Sequence, residues 1–267
     1  MAPVRFQILS DLHLETHPSY NHFKLKQSAP YLALLGDIGH AGDDRFFAFL
    51  ERQVKRYWAV FFLIGNHEPY HLTFPAAKAR LHAFAERMER LRAQSTIGKF
   101  IFLDQTRYDL TERITILGCT LFSHITPEQA SAVASRLVDF KDILNWSVHD
   151  HNLSHQSDLS WLNAEVSKIA REEPQRQIVI FTHHSPCGDE RANDPRHNGS
   201  EVTSGFVTDL RNEECWKNPK VKMWAFGHTH YNCEFEETGK KVLANQKGYY
   251  MIPQETFNLK KAYNVGE

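Results

Sequence analysis

Two histidines one residue apart follow an apolar run in the segment MWAFGHTHYN, at His228 and His230. Imidazole nitrogens are common metal ligands, and residues i and i+2 of an extended segment lie on the same side of the chain. His228 and His230 can therefore face one site together. The same spacing relates Asp11 to His13 after the apolar run VRFQILS. These pairs predict a metal site built from carboxylate and imidazole groups.

Further polar clusters also follow apolar runs directly. Their members are Asp37, Asn66, His67, Glu68, His183 and His184. Ligands of α/β proteins bind beyond the carboxyl ends of the strands, so all five clusters would converge if these strands are neighbours in one sheet. Carboxylate, amide and imidazole ligands without a thiolate suit Mn, Fe, Zn, Co or Ni better than Ca or Cu.

Strands and helices must alternate to position these residues. Five apolar runs rich in β-branched and aromatic residues predict buried strands. Helices are predicted for DDRFFAFLERQVKRY, PAAKARLHAFAERMERLRAQ and SDLSWLNAEVSKIARE, and further strands for KFIFLD and RITILGCTLF. Antiparallel strands should turn at Gly239 and near Gly248. The alternation predicts one α/β domain over residues 1–267.

Composition and charge narrow the function classes. The chain has 31 Lys and Arg against 32 Asp and Glu, so no net charge attracts nucleic acid or a membrane. Basic runs are no longer than two residues, which predicts no extended nucleic-acid surface. Four scattered cysteines indicate reduced thiols. Without a recognisable signal peptide or membrane-spanning stretch, we expect an intracellular, cytoplasmic protein. The sequence does not indicate an oligomeric state.

Together these motifs resemble the pattern of the calcineurin-like metallophosphoesterase superfamily. Its members carry D-x-H, G-D, G-N-H-[DE], a histidine after a strand and G-H-x-H, which correspond here to SDLH, LLGD, IGNHE, FTHHSP and FGHTH. The resemblance spans residues 11 to 230. It implies a four-layer α/β/β/α sandwich of two mixed sheets flanked by helices, a binuclear metal centre, and hydrolysis of a phosphoester.

The resemblance also implies which residues hold the two divalent or trivalent transition-metal ions. One ion would be held by four side chains: Asp11, His13, Asp37 and His230. The second ion would share the Asp37 carboxylate and take three more ligands: Asn66, His183 and His228. Water activated by the pair would attack phosphorus in line with the leaving oxygen.

Two residues beside these ligands have roles outside the ligand set. His67 corresponds to the family's histidine that contacts the phosphate and can protonate the leaving oxygen. Glu68 would orient His67 or a ligand. His184 is the alternative to His183 as ligand. If His183 is the ligand, His184 would line the substrate cleft or bond to a neighbouring loop.

The substrate prediction depends on departures from known subgroups. Ser/Thr protein phosphatases of the superfamily carry G-D-x-x-D-R-G and His-Gly-Gly, whereas this chain has GDIGHAG and HHSP. This favours a phosphodiesterase that acts on a small phosphoester, a nucleotide or a cyclic nucleotide. The alternatives are a phosphomonoesterase, an unusual protein phosphatase, and a metal-binding scaffold without activity, which the intact motifs disfavour.

Substrate contacts are predicted from the same clusters and from one loop. The long polar segment from residue 185 to 205 follows a ligand strand, so it should form one wall of the cleft. Its arginines could bind phosphate or base. The predicted substrate contacts are Asn66, His67, His184, Arg191 and Arg196.

Overall fold

The computed structural model describes residues 4–16 and 19–266, and its strands form two main sheets and one hairpin. In spatial order, the strands of the first sheet are β13 (Ala262–Val265), β1 (Val4–Leu9), β2 (Tyr31–Leu35), β3 (Ala59–Leu63) and β4 (Lys99–Phe102). Those of the second are β5 (Thr106–Asp109), β6 (Ile114–Gly118), β7 (Gln177–Phe181), β8 (Val221–Phe226), β10 (Lys240–Ala244) and β9 (Cys233–Glu237). The hairpin pairs β11 (Gly248–Tyr249) with β12 (Ile252–Pro253).

Parallel strands form the centre of each sheet. In the first sheet β1, β2, β3 and β4 are parallel and β13 pairs antiparallel with β1. In the second sheet β6, β7, β8 and β10 are parallel, with antiparallel β5 and β9 at the edges. Both sheets are therefore mixed, and the C-terminal segment forms an edge strand of the first.

Helices cover the outer face of each sheet. Their bounds are α1 (Asp44–Val54), α2 (Phe74–Arg92), α3 (Ala130–Arg136), α4 (Asp139–Asp142), α5 (Val148–Glu172) and α6 (Glu214–Lys217). In β2, Leu32 and Leu34 pack with α1 and α2, whereas Ala33 and Leu35 belong to the core between the sheets. Because successive side chains of a strand point to opposite faces of the sheet, both faces of the sheet are buried. The order of layers confirms the predicted α/β/β/α sandwich.

The five polar clusters follow strands of both sheets and meet although these strands are not neighbours in one sheet. The clusters at Asp11, Asp37 and Asn66 follow β1, β2 and β3 of the first sheet. Those at His183 and His228 follow β7 and β8 of the second sheet. Sequence periodicity identifies buried strands but does not assign them to sheets, because both sheets are buried on both faces.

Helix α5 begins nine residues before the predicted start. Ser147 caps it, accepting from the backbone N–H of Asp150 while the Asp150 carboxylate accepts from the Ser147 N–H, which is a capping box. His151 and His155 therefore lie in the helix, and both are buried. No helix within the described ranges is long and apolar enough to cross a bilayer.

Buried His151 should make the protein sensitive to acid. Burial, with His155 nearby, lowers the pKa of His151 to about 3. In the unfolded chain this histidine binds a proton below pH ~6.5, whereas in the folded chain it stays neutral down to about pH 3. The free energy of unfolding therefore falls as the pH decreases from ~6.5 to about 3. We expect His151→Gln to flatten the acid limb by about 1.4 kcal/mol per pH unit, the value for one proton.

Urea unfolding at pH 4 to 7 measures this effect. In the native protein the Ser123 backbone N–H donates to His151 Nε2, and a glutamine side chain at this position can still accept that hydrogen bond. His149→Gln, at an exposed position of the same helix, is the matched control and should leave the pH dependence unchanged. Parallel curves for wild type and His151→Gln would contradict the prediction.

Candidate metal centre

Five of the predicted ligands have unusual backbone conformations immediately after their strands. Their φ angles are 52° for Asp11, 47° for His13, 54° for Asp37, 70° for His228 and 49° for His230. Left-handed backbone at residues other than glycine is uncommon and costs of order 1–3 kcal/mol where strained. Such conformations cluster at functional sites. Here they turn the side chains beyond the strand ends toward one region.

Glycines permit the close approach of these turns. A Cβ atom at Gly65 would lie 2.2 Å from the Asp37 carboxylate, and one at Gly227 would lie 2.6 Å from the Asp11 carboxylate. Both distances are far below van der Waals contact, so any side chain would displace the carboxylate. Each glycine therefore makes room for an acidic residue that follows another strand.

One group of potential ligands consists of Asp11, His13 and His230, whose ligand atoms all lie within 4.8 Å of one another. The Nε2 atoms of His13 and His230 are 3.0 Å apart, and His230 Nε2 is 3.3 Å from Asp11 Oδ1. Asp11 and His13 are almost completely buried. Two imidazole nitrogens and one carboxylate thus converge from β1 and β8, as sequence spacing predicts.

A second group consists of Asp37, His183 and His228, again with ligand atoms within 4.8 Å. His183 Nδ1 donates to the Leu35 carbonyl at 2.7 Å, so its Nε2 atom faces the site. Asn66 Oδ1 lies 3.0 Å from that Nε2 atom. A histidine held by its other nitrogen is the usual arrangement around a metal. These side chains match the second predicted ligand set.

The structure places His183 and His184 in different surroundings. His184 belongs to neither group, and it lies fully buried with its ring 4.1 Å from that of His228 and packed on Phe122. Burial holds the pKa of His184 well below its usual range, so the ring is neutral. The prediction that His184 lines the cleft or bonds to a neighbouring loop does not hold, because its ring is enclosed and has no hydrogen-bond partner within the described ranges.

Negative charge persists on the two buried carboxylates. Burial opposes ionisation of Asp37, but the nearby His183 and His67 imidazoles hold its pKa well below the usual range. Burial likewise opposes ionisation of Asp11, whose pKa is lowered by His230. Asp37 Oδ1 also accepts from the His67 backbone N–H at 2.9 Å. Both carboxylates are therefore available as anionic ligands.

Glu68 connects the loops after β2 and β3. Its carboxylate accepts from the backbone N–H groups of Gly65 at 2.7 Å, Asp37 at 3.0 Å and Ile38 at 2.8 Å. Burial, together with the Asp37 charge, raises the pKa of Glu68 to about 7. Of the two expected roles, orienting His67 or orienting a ligand, these contacts agree with the second. Glu68 fixes the backbone that carries Asp37.

Replacing Glu68 by glutamine should destabilise the fold. The glutamine amide cannot accept at both ends, so at least one buried backbone N–H loses its acceptor, at a cost of roughly 1–3 kcal/mol per group. We expect a loss of about 2–4 kcal/mol in the free energy of unfolding. Urea unfolding measures it. The exposed Glu86→Gln provides the matched control, and equal midpoints for the two variants would contradict the assigned role.

His67 is held between two groups that sequence spacing did not identify. Its Nδ1 atom lies 3.1 Å from Glu15 Oε1, which is also 3.0 Å from His13 Nδ1. Its Nε2 atom lies 3.2 Å from the Tyr249 hydroxyl. Burial opposes protonation of His67, but Asp37 and Glu15 raise its pKa to about 9. The His67 ring is therefore a cation before any ion binds.

A signal for Glu15 was present in the sequence and one for Tyr249 was not. Glu15 stands two residues after His13, the same spacing that relates Asp11 to His13. Tyr249 lies in the β11–β12 hairpin, 182 residues from His67, and its ring packs on His13 at 4.3 Å. Only the folded structure brings it there.

Asp139 fixes the orientation of the Asn66 amide. Its Oδ1 atom accepts from Asn66 Nδ2 at 2.8 Å and from the Tyr70 hydroxyl at 2.6 Å. With Nδ2 held there, Asn66 Oδ1 points to His183 Nε2. An amide oxygen binds a cation and an amide nitrogen does not. Asp139 was not predicted, because it lies 73 residues from Asn66 in a short helix.

A cavity of about 370 Å³ borders both ligand groups and the His67 ring. Its walls include Asp37, His228 and His230. Among the described residues that line it, Arg136 is the single lysine or arginine, and it pairs with Glu201 at 2.5 Å. The centre therefore opens to a cleft with little positive charge of its own beyond histidines.

Arg191 and Arg196 do not line this cavity. Arg191 binds Asp189 at 2.8 Å and also pairs with Glu237, and Arg196 binds Asp194 through Nε at 2.9 Å. Each guanidinium is neutralised by its neighbours, so the structure does not bring these predicted substrate contacts to the centre.

The family model of the calcineurin-like phosphoesterases matches residues 4–232. This chain belongs to the calcineurin-like phosphoesterases. As a member of this family it is a metal-dependent phosphoester hydrolase. The donor atoms of the two groups fit this assignment, because carboxylate and imidazole ligands suit the transition-metal ions that such chemistry uses.

Relatives of this phosphoesterase are distant in sequence. An uncharacterized protein of Acanthamoeba polyphaga mimivirus is 24% identical over 264 residues, which cover 90% of each chain. Among solved structures, the phosphopantetheinyl hydrolase of Mycobacterium tuberculosis has a TM-score of 0.66 and 16% identity, and covers 93% of this chain and 90% of its own. A putative 5′-nucleotidase of Staphylococcus aureus has a TM-score of 0.52 and 14% identity, covering 92% of this chain and 49% of its own. These similarities support the fold.

Proposed function

We propose that this phosphoesterase hydrolyses phosphodiesters of small molecules or nucleotides. The observation that carries the proposal is the meeting of two three-residue ligand groups and the His67 ring at one cavity. Asp11, His13 and His230 would hold one ion. Asp37, Asn66, His183 and His228 would hold the other, with Asp37 bridging. When bound, the ions supply positive charge that neutralises phosphoryl oxygens and acidifies water.

The chain's own residues act on the leaving group. Glu15 accepts from His67 Nδ1, which leaves the Nε2 side of the ring facing Tyr249 and the cavity. From this position the imidazolium can donate a proton to the departing oxygen, as general acid catalysis requires. Tyr70 stacks on the His67 ring at 4.3 Å and holds its plane. His67 is therefore positioned on both edges and on one face.

The charge balance of the cavity favours a diester over a monoester. A diester carries one negative charge and a monoester approaches two at neutral pH. The one guanidinium among the described lining residues, Arg136, is paired with Glu201, so no free lysine or arginine meets a second charge. Apolar walls at Leu137, Val138 and Phe206 suit a second organic group on the phosphate.

The size of the substrate follows from the same cavity. A volume of about 370 Å³ lies at the lower end of the range for small-molecule sites. Two solved structures with the same fold carry the names phosphopantetheinyl hydrolase and putative 5′-nucleotidase. This agrees with a small substrate and supports the proposal by analogy of fold only.

Metal reconstitution tests the proposal. Protein stripped with chelator is reloaded separately with Mn, Zn, Co or Ni and assayed on bis-p-nitrophenyl phosphate, p-nitrophenyl phosphate and 2′,3′-cyclic nucleotides. We expect metal-dependent turnover with higher kcat/KM on the diesters. Faster monoester hydrolysis would overturn the diester preference. Absence of turnover with two ions bound would show a scaffold that has the fold without the activity.

A further inference from the structure

A second cavity adjoins the first on the side of the 185–205 loop. Its volume is about 270 Å³, and it shares four wall residues with the metal-facing cavity: His197, Val202, Phe206 and Thr229. Phe206 stacks on the ring of the predicted ligand His228, with centroids 4.8 Å apart and an interplanar angle of 24°. The two cavities are therefore adjacent, and the wall that they share includes Phe206, which packs on a predicted ligand of the centre.

Hydrogen bonds from buried or half-buried side chains fix the walls of the second cavity. Asn193 Nδ2 donates to the carbonyl oxygens of Cys187 at 2.9 Å and Asp189 at 2.8 Å. Gln129 accepts from the Ser204 backbone N–H at 2.8 Å and donates to the Ser200 carbonyl at 3.1 Å. These bonds hold both ends of the loop, so the cavity is formed before any ligand binds.

The second cavity offers no unpaired carboxylate, lysine or arginine among its described lining residues. Asp194 is the one acidic residue there, and Arg196 binds both of its oxygens. A phosphate would therefore find no compensating cation in this cavity, whereas the metal centre supplies one. Since burying an unpaired charge is costly, an uncharged group is the favoured occupant.

The lining also combines two kinds of side chain. Val202, Phe206 and Val207 supply apolar and aromatic surface, while Ser200 and Thr203 supply hydroxyl groups, with the Asn198 amide beside them. A flat ring with polar edges matches such a wall better than a flexible chain, because it packs its face and hydrogen-bonds its edge. Nucleosides have this combination of a flat base and a hydroxylated sugar.

We infer that the second cavity is a binding subsite for the nucleoside part of the substrate, with its phosphate at the metal centre. This inference rests on the proposed function and names its substrate class. Thr203 lines the second cavity and not the first, so a tryptophan there should fill the subsite without touching the predicted ligands.

Two esters with the same leaving group test the inference. Thymidine 5′-(p-nitrophenyl phosphate) carries a nucleoside and methyl p-nitrophenyl phosphate does not. We expect wild type to prefer the thymidine ester by roughly tenfold or more in kcat/KM. Thr203→Trp should lose most of this preference and keep its activity on the methyl ester, while Thr203→Ser, which keeps the hydroxyl group, should retain both. Ser200→Phe blocks the same cavity from another residue if Thr203→Trp fails to fold.

Direct binding separates this inference from the proposed function. Saturation-transfer NMR should detect thymidine on metal-loaded wild type and Thr203→Ser but not on Thr203→Trp, whether or not an ester is hydrolysed. Preferential binding of N-acetylethanolamine, an acyclic amide alcohol, would overturn the nucleoside assignment. Equal losses of activity on both esters in Thr203→Trp, or no preference for the thymidine ester in wild type, would overturn the subsite. Turnover of the methyl ester would still support the proposed function.

Discussion

Replacement of Asp37 by asparagine is expected to abolish phosphoester hydrolysis and to release at least one bound ion. The substitution preserves the shape of the side chain, and an asparagine oxygen can still accept from the His67 backbone N–H that Asp37 Oδ1 binds at 2.9 Å. What disappears is the negative charge beside His183 and His228. The loss of activity should exceed the roughly 10–100-fold loss that follows removal of a residue that only supports a metal ligand.

Metal content and turnover must be measured on the same sample. Elemental analysis of reconstituted wild type should find two ions per chain, and Asp37→Asn should retain fewer. Asp44→Asn is the matched control, since Asp44 is exposed and pairs with Arg80 at the surface. An Asp37→Asn protein that keeps both ions and its full kcat would exclude Asp37 as the shared ligand.

The predicted ligands could be identified from sequence because each one adjoins a buried strand. A strand that is apolar throughout belongs to the core, and a polar residue such as Asp11 or His228 directly after it indicates a functional site. The i, i+2 spacing also predicts that the two residues of a pair face the same side of the chain. These local signals required no knowledge of which sheet contains which strand. The predicted ligand set therefore does not depend on whether the strands belong to one sheet or to two.

Contacts between distant residues had no such local signal. Asp139 and Tyr249 reach the centre from a short helix and a two-stranded hairpin, and nothing in their neighbourhoods marks them as site residues. Their positions depend on how the loops beyond both sheets pack. The same holds for the Asn66 amide, whose orientation follows from Asp139.

The arginines and His184 were misplaced for different physical reasons. Arg191 and Arg196 each follow an aspartate by two residues, and that aspartate neutralises the guanidinium locally. This D-x-R pattern was visible in the sequence and indicates a paired surface charge. His184 adjoins His183, but its ring packs against Phe122 and the ring of His228 and is fully buried.

His67→Ala should impair catalysis in proportion to how much the leaving group needs a proton. General acid catalysis contributes about 10²–10⁴-fold, so hydrolysis of 2′,3′-cyclic nucleotides, whose leaving group is a basic alkoxide, should fall by that factor. Bis-p-nitrophenyl phosphate should be affected much less, because p-nitrophenolate is stable without protonation. The metal content should remain at the wild-type value, since His67 is not among the predicted ligands.

The dependence on leaving group distinguishes acid catalysis from simple disruption of the centre. A structural role would lower both activities together and would also reduce bound metal. Here the packing of Tyr70 and Tyr249 around the His67 ring makes local collapse the main competing cause. His67→Gln, which retains a hydrogen-bond donor of similar length, should preserve the packing and still lose the cyclic-nucleotide activity. The exposed His149→Ala serves as control, and equal losses on both substrates would assign His67 to phosphate binding alone.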